Sequence, residues 1–319
     1  MITNKILTVG KTDSGERLDK FIAILFPHIS RRTVQETITK GFILVNGKAG
    51  KKGIMLSEGD NIEIKEMPEP SDMFPSANPS ILIDIVYEDK NLIIVNKPAG
   101  MPSHPLAPLE NNTVVNFILN LCPEASGFGY SPLEPAILHR LDINTSGLLM
   151  AAKNEETFAR MRAMMKDRLI IKTYLALVLG KPEENGVITS SIRHHEKDKR
   201  KMKACLSSKD EEGGKIYEAE TTYKVAKSFN GYSLLEVTIK SAVMHQIRCH
   251  LASINHPISG DSLYQSHRQK KADTLAPSRH LLHAWKICIP KRNEISALEV
   301  TAPVPEDFED YMARLIETK

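Results

Sequence analysis

Residues 139–149, with the sequence HRLDINTSGLL, hold one carboxylate between two apolar runs. PAIL (135–138) ends just before this segment and LLMAA (148–152) overlaps its end, so we expect Asp142 at the edge of a hydrophobic core. An unpaired charge there would be costly, and a partner should keep it ionised. Such a carboxylate can attack or stabilise C1′ of a sugar. The alternative is a structural aspartate that pairs with Arg140 and pins two strands.

The sequence argues against several other kinds of catalytic chemistry. Its histidines are scattered and no H-E-x-x-H occurs, so no metal site is predicted. It has neither a dinucleotide fingerprint nor a phosphate-binding loop, and we expect no cofactor. Ser146 precedes Gly147 but lacks the earlier glycine of a nucleophile elbow. No second carboxylate lies close to Asp142 in sequence, which argues against a glycosidase pair.

The composition is that of an ordinary globular protein with more than one core. The chain has 319 residues, 41% apolar and 25% charged, with a net charge of +3. Single cores stop growing at roughly 250–300 residues, so we expect a large and a small domain. Four widely separated cysteines argue against a disulfide framework. Without a signal-like start or an apolar run of ~20 residues, we expect a cytoplasmic protein that does not enter membranes.

A proline-rich stretch divides the chain. Residues 67–80 carry four prolines and three serines, a composition typical of a linker. We therefore predict a small domain over residues 13–66, a linker over 67–80 and a catalytic domain over 81–319.

The small domain shows the signals of two helices and several short strands. One helix should bury Leu18, Phe21, Ile22 and Leu25, which follow helical spacing. A second should begin at the N-cap Ser30, end near Gly41 and bury the residues Val34 and Ile38. Asn46-Gly47 predicts a tight hairpin, and LSEGDNIEI predicts a further turn and strand.

Basic residues mark two regions as candidate RNA contacts. The candidates are Arg17, Arg31, Arg32, Lys40, Lys48, Lys51 and Lys52 in the small domain, and Lys199 and Arg200 in a basic stretch of the large one. Arg31 and Arg32 lie in the first turn of a predicted helix, where the helix dipole disfavours cations. An RNA phosphate bound at the same helix end would explain them. The alternative for both regions is a solvated charged surface.

The large domain mixes strands and helices without a regular βαβ rhythm. Strands are predicted over 81–87, 92–96 and 169–180, and Leu235, Val237 and Ile239 alternate along another. One helix should start at Asn154 and bury Phe158, Met161 and Met165, and another should bury Ile247, Leu251 and Ile254. We predict an α+β fold with a mixed, largely antiparallel sheet and flanking helices.

Ordered motifs give this chain a family resemblance. ERLDKFIA, SRRTVQETITKGFILVNGK and LSEGDNIEI resemble an S4 RNA-binding domain. HRLDINTSGLL resembles the central motif of the RluA family of pseudouridine synthases, and five more segments follow that family's order. These are VNKPAGMPSHP (95–105), KTYLALVLG (172–180), GGKIYEAETTYKV (213–225), HQIRCHLASINHPISGDSLY (245–264) and HLLHAW (280–285).

The resemblance implies roles for individual residues. Asp142 would be the catalytic aspartate acting at C1′ of a uridine, and Tyr174 would stack on the flipped base and aid proton removal at C5. Arg248 would pair with Asp142, and Arg140 would contact RNA and help hold the flipped nucleotide. One departure stands out, because the family's usual Gly-Arg-Thr before HQIR is replaced by Ala242-Val243-Met244.

The implied function is conversion of uridine to pseudouridine, with large-subunit (23S) ribosomal RNA as the expected substrate. No cofactor is needed. We expect an RNA partner, no DNA or membrane partner, and a monomer. A different class remains open, a non-catalytic RNA-binding or ribosome-assembly factor on the same scaffold, which should tolerate loss of the Asp142 charge. A nucleoside hydrolase that releases free uracil is a third alternative.

Overall fold

The computed structural model describes residues 1–107, 109–207, 214–293 and 295–317. Chain contacts divide the protein into two compact units, Met1–Ser76 with Pro105–Asn111, and Ala77–His104 with Asn112–Lys319. None of the helices in the described ranges combines the length and apolar composition needed to cross a membrane.

The smaller unit builds a four-stranded antiparallel sheet and two helices. Its elements are β1 (Ile2–Thr8), α1 (Leu18–Leu25), α2 (Arg31–Thr39), β2 (Ile43–Val45), β3 (Lys48–Ala49) and β4 (Asn61–Met67). The strand order is β1-β4-β2-β3. The strand β1 was not predicted from the sequence, because it leaves most of its side chains exposed and shows no apolar alternation.

Local signals explain most of the smaller unit. The Ser30 hydroxyl accepts the Thr33 N–H at 3.1 Å and caps α2, as predicted. Asn46 and Gly47 have φ of 50° and 77°, the left-handed conformations of the predicted hairpin turn. The prediction for Leu25 was wrong, since this last residue of α1 is 45% exposed.

The segment predicted as a linker is partly ordered. It contains a 3₁₀ turn at Pro70–Met73. The ammonium group of Met1 lies 2.9 Å from Glu69 Oε2 and 2.7 Å from Asp72 Oδ2. These contacts join the start of the chain to the end of the smaller unit, which clusters as far as residue 76.

The larger unit is an extended sheet with helices on both faces. Its elements are β5 (Asp84–Glu88), β6 (Leu92–Lys97), α3 (Val114–Leu121), β7 (Ser146–Ala152), α4 (Glu155–Lys166), β8 (Ile171–Leu179), β9 (Asn185–Ile188), β10 (Ile192–His194), β11 (Met202–Ala204), β12 (Ile216–Tyr217), β13 (Thr221–Phe229), β14 (Tyr232–Ile239), α5 (Gln246–Ser253), α6 (His267–Ala272), β15 (Leu282–Ile289), β16 (Leu298–Thr301) and α7 (Glu306–Glu317).

The main sheet runs in the order β5-β6-β7-β15-β8-β14-β13-β9, with β16 paired to β15. Its pairs are antiparallel except β7 with β15, which are parallel. Strands β11, β10 and β12 form a small separate sheet. The predicted mixed, largely antiparallel α+β fold is therefore confirmed.

Alternating side chains along the central strands pack into hydrophobic cores on both faces of the sheet. On one face, Val95, Ala176 and Val237 pack with α3 and α5. On the other face, β6 and β7 pack against α4, and β8 packs against α7. Within α4 the buried stripe includes Met164 where the sequence suggested Met165, which is partly buried.

Candidate active site

The segment that carries Asp142 is a loop, here called the aspartate loop (residues 139–145), which leads into β7. Thr145 N–H donates to the Asp142 carbonyl at 3.0 Å and closes a tight turn. Gly147 follows with φ +109°, and a Cβ there would lie 2.2 Å from the Ala284 carbonyl oxygen of β15. Only glycine lets β7 approach β15 so closely, so this residue fixes where the loop enters the sheet.

Asp142 is held by Arg248, which reaches it from α5. Arg248 Nη1 donates to Asp142 Oδ2 at 2.7 Å, although the two residues are 106 positions apart. The Asp142 side chain is 25% exposed and that of Arg248 only 8%. The carboxylate is thus accessible from the pocket while its counter-charge lies beneath it.

Arg248 has a second and deeper anion, Asp261. Its Nε and Nη2 donate to the two oxygens of Asp261 at 2.7 and 2.9 Å, and the Asp261 side chain is fully buried. The Tyr264 ring centre lies 5.2 Å from the guanidinium carbon. Burial alone would lower the pKa of Arg248, but the bonds to Asp261 and Asp142 outweigh burial and raise that pKa above its ordinary value.

Tyr174 lies on β8 and lines the same pocket as Asp142 and Arg248. Only 5% of this residue is exposed. Burial, reinforced by the charge of Asp142, raises the pKa of Tyr174 above the ordinary phenol value. The phenol therefore stays protonated at neutral pH and offers an aromatic surface and an O–H group.

His245 is a pocket residue that the sequence analysis did not assign. It has a left-handed φ of 54° at the start of α5, and its Nε2 lies 3.7 Å from Asp142 Oδ2. Burial lowers the pKa of His245, with Asp142 acting in the opposite direction. The sequence signal that could have identified His245 is its position in the HQIR motif, three residues before Arg248.

Two residues from the VNKPAGMPSHP motif fix the aspartate loop from one side. The Ser103 hydroxyl donates to the Leu141 carbonyl at 2.9 Å and accepts the Leu141 N–H at 3.0 Å. Lys97 is fully buried and donates to Ile143 O at 3.0 Å, as well as to two carbonyls of its own turn. Burial lowers the pKa of Lys97 to about 7, and nearby Asp142 partly opposes that change.

Two residues before β15 fix the loop from the other side. Arg279 Nη1 donates to Asn144 O at 3.2 Å, while its Nε and Nη2 bind Asp307 of α7 at 2.6 and 2.8 Å. His280 Nε2 lies 2.8 Å from Thr145 Oγ1. Burial, followed by Arg248, lowers the pKa of His280 to about 4, so this ring is neutral. Asp142 therefore projects from a rigid loop.

Arg140 does not pair with Asp142. Its Nη1 donates to Glu134 Oε1 at 2.7 Å, and its side chain is 55% exposed at the rim of the pocket. The alternative of an Arg140–Asp142 pair that pins two strands is therefore not what the structure contains. Arg140, Asp142, Tyr174 and Arg248 are brought together around one pocket.

The segment that differs from the family motif, residues 242–244, also borders this pocket through Ala242 and Val243. Val243 N–H donates to Gln246 Oε1 and its carbonyl accepts the Gln246 N–H, both at 3.0 Å. The segment thus forms a closed turn that gives the rim an apolar surface. Of the motif at 213–225, Gly213 lies outside the described residues.

The candidate RNA contacts of the smaller unit divide into two groups. Arg17 and Arg31 both bind the fully buried Asp19, and Arg32 binds Glu36 at 2.9 Å. These ion pairs can stabilise Arg31 and Arg32 in the first turn of α2 without a bound phosphate. Four lysines are exposed in and around the β2–β3 hairpin and at the end of α2, namely Lys40, Lys48, Lys51 and Lys52.

In the larger unit, Lys199 and Arg200 are exposed in the connection from β10 to β11, and Arg200 binds Asp198 at 2.9 Å. These two residues do not line the Asp142 pocket. Within the described ranges, no three metal-ligating side chains cluster in a way that could hold an ion.

Comparison with known proteins identifies the family of this chain. Residues 91–253 match the model of the RNA pseudouridylate synthase family, and residues 16–62 match that of the S4 domain. An uncharacterized RNA pseudouridine synthase of Synechocystis is 33% identical, over 96% of this chain and 91% of its own. A ribosomal large subunit pseudouridine synthase D of Nitrosomonas europaea is 32% identical, over 95% and 85%.

Solved structures share the fold. The human protein RNA pseudouridylate synthase domain containing 4 aligns with a TM-score of 0.54 and 24% identity, over 73% of this chain and 92% of its own. Since the family model covers half of the chain and full-length relatives exceed 30% identity, this protein, which carries an N-terminal S4 domain, belongs to the RNA pseudouridylate synthase family.

Proposed function

We propose that this protein converts uridine to pseudouridine in large-subunit (23S) ribosomal RNA, with Asp142 as its catalytic carboxylate. The main support for this proposal is the 2.7 Å hydrogen bond from Arg248 Nη1 to Asp142 Oδ2, beside the buried ring of Tyr174. The substrate is proposed from the relatives named ribosomal large subunit pseudouridine synthase D.

In the proposed reaction the target uridine first leaves its stack, at a cost of a few kcal/mol. Stacking on Tyr174 recovers about 1–3 kcal/mol of that. Asp142 then acts at C1′ while the N1–C1′ bond breaks. The uracil turns within the pocket and C5 bonds to C1′, which frees Asp142; the C5 proton passes to solvent, and N1 takes up a proton from solvent. Arg248 keeps the carboxylate oriented throughout.

Around this centre, we propose that Arg140 contacts the RNA at the rim of the pocket. The exposed Lys40, Lys48, Lys51 and Lys52 would bind phosphates, together with Lys199 and Arg200 and the outer faces of Arg17, Arg31 and Arg32. Residues 13–66 would be the RNA-binding module, 67–80 the linker and 81–319 the synthase domain. We further propose a monomer that works in the cytoplasm.

The test is tritium release from C5-labelled uridine in unmodified ribosomal RNA. Asp142→Asn should fall below about one thousandth of the wild-type rate while it still binds RNA. Asp167→Asn, which removes a half-exposed carboxylate from the surface, should keep the wild-type rate. Transfer RNA serves as a second substrate, and release from it alone would refute the ribosomal assignment.

One observation favours a second candidate, a non-catalytic assembly factor. The apolar Ala242 and Val243 line the pocket where the family usually has Gly-Arg-Thr. A binding factor would release no tritium from either RNA, and its RNA affinity would be the same with Asp142→Asn.

A further inference from the structure

A charged cluster surrounds Arg140, apart from the Asp142–Arg248 pair. Arg140 Nη1 lies 2.7 Å from Glu134 Oε1 and 3.3 Å from His104 Nε2, and the same Glu134 oxygen lies 3.0 Å from His104 Nε2. The Arg140 side chain is 55% exposed, whereas those of Glu134 and His104 are 17% and 12% exposed. A largely buried carboxylate thus holds one edge of an exposed guanidinium.

The backbone beneath this cluster is fixed. His104 follows Ser103 and Arg140 precedes Leu141, and the Ser103 hydroxyl bonds to both the N–H and the carbonyl of Leu141. Ser103 and Leu141 are both buried. Neither His104 nor Arg140 can shift its backbone without breaking these buried bonds, so the cluster is a rigid support.

The other edge of Arg140 remains available to a ligand. In the described part of the chain, the side-chain hydrogen bonds of Arg140 all use Nη1. Its Nε and Nη2 can therefore donate in parallel to a phosphate, the geometry that arginine favours. Arg140 also borders the pocket that contains Asp142.

We propose that Glu134, supported by His104, is a positioning residue that orients Arg140 for RNA before RNA arrives. The inference rests on the proposed contact between Arg140 and RNA. A long side chain loses rotamer freedom when it binds a partner, and a preformed orientation reduces that loss. The Glu134 carboxylate also lowers the local positive charge, so the gain from orientation must exceed the lost attraction to phosphate.

The test combines Glu134→Ala, Arg140→Ala and the double variant in the full-length enzyme. Kd for unmodified ribosomal RNA and the kcat and KM of tritium release are measured for each. Glu134→Ala should raise Kd and KM about threefold to tenfold, the penalty for ordering one long side chain on binding. Its kcat should change less than about twofold, because Glu134 does not touch the reacting atoms.

The double variant should bind RNA as Arg140→Ala does, since Glu134 acts through Arg140. Glu134→Gln, which keeps an oxygen that can accept from Arg140, should lie closer to wild type than Glu134→Ala. The matched control is Glu88→Ala, which removes another 2.7 Å ion pair, with Lys153, from outside the pocket. It should leave Kd and KM unchanged.

Four results would overturn the inference. Tighter RNA binding by Glu134→Ala would mean that the carboxylate competes with RNA. Additive losses in the double variant would mean that Glu134 acts on the fold rather than on Arg140. Normal binding by Glu134→Ala beside weakened binding by Arg140→Ala would refute the positioning role alone, whereas normal binding by Arg140→Ala would refute the proposed RNA contact itself.

Discussion

Asp261 is the buried anchor of the arginine that holds Asp142, and Asp261→Asn should damage both stability and catalysis. The carboxylate accepts two bonds from Arg248 and the backbone N–H groups of Leu263 and Tyr264, at 2.7 to 3.2 Å. Burial opposes its ionisation, yet Arg248 keeps the pKa of Asp261 below its ordinary value. Asparagine retains the shape but removes the charge.

Removing one partner of a buried ion pair costs about 3–5 kcal/mol. Arg248 keeps Asp142 as a second partner, so we expect the lower end, about 3 kcal/mol. For a domain of this size that is a fall of roughly 6–12 °C in the unfolding midpoint. An arginine displaced by about 1 Å would also misplace Asp142, with a loss of up to about a hundredfold in kcat.

The matched control is Asp307→Asn. Asp307 also binds a buried arginine, Arg279, through two bonds, but its side chain is 46% exposed. Water can replace the lost bonds there, and we expect a cost of about 1 kcal/mol. Thermal unfolding by circular dichroism and tritium release at 25 °C measure the two effects. If Asp261→Asn loses no more stability than Asp307→Asn and keeps its kcat, the anchoring role is refuted.

Two further predictions follow from buried groups elsewhere. Burial opposes the ionisation of Asp19, but Gln35, Arg31 and Arg17 lower its pKa to about 2. The ionised Asp19 should therefore add about 2 kcal/mol to the free energy of unfolding. This contribution should be complete above about pH 4 and lost as the pH falls toward 2. Urea unfolding between pH 2.5 and 6 should therefore show a gap between wild type and Asp19→Asn that closes in acid; a constant gap would contradict this. Gly147→Ala should prevent folding, because its Cβ would meet the Ala284 carbonyl, whereas Gly231→Ala has a positive φ but open space and should cost about 1 kcal/mol. Soluble yield and thermal unfolding of both variants measure this, and a stable Gly147→Ala protein would refute the close approach.

Elements whose stabilising contacts are local could be predicted from the sequence. The Ser30 cap, the Asn46-Gly47 turn and the alternation along β14 each depend on residues within a few positions of one another. The mixed α+β class followed from the order of these elements. The strand β1 could not be found, since it is held by its backbone pairing with β4 and shows no apolar alternation.

The candidate site was determined by sequence only in part. Ordered motifs identified Asp142, Tyr174 and Arg248 as candidates, but their partners lie far away in the chain. Only the tertiary structure assigns Asp261 to Arg248 and Glu134 to Arg140, and ties Arg17 and Arg31 to Asp19. The physical reason is that the sequence pattern reports which residues share a helix or strand face. The pair of Asp142 with Arg248, 106 positions apart, was expected only from the family resemblance, because which distant charges meet depends on the order and register of the sheet, and these are set by the packing of the whole core.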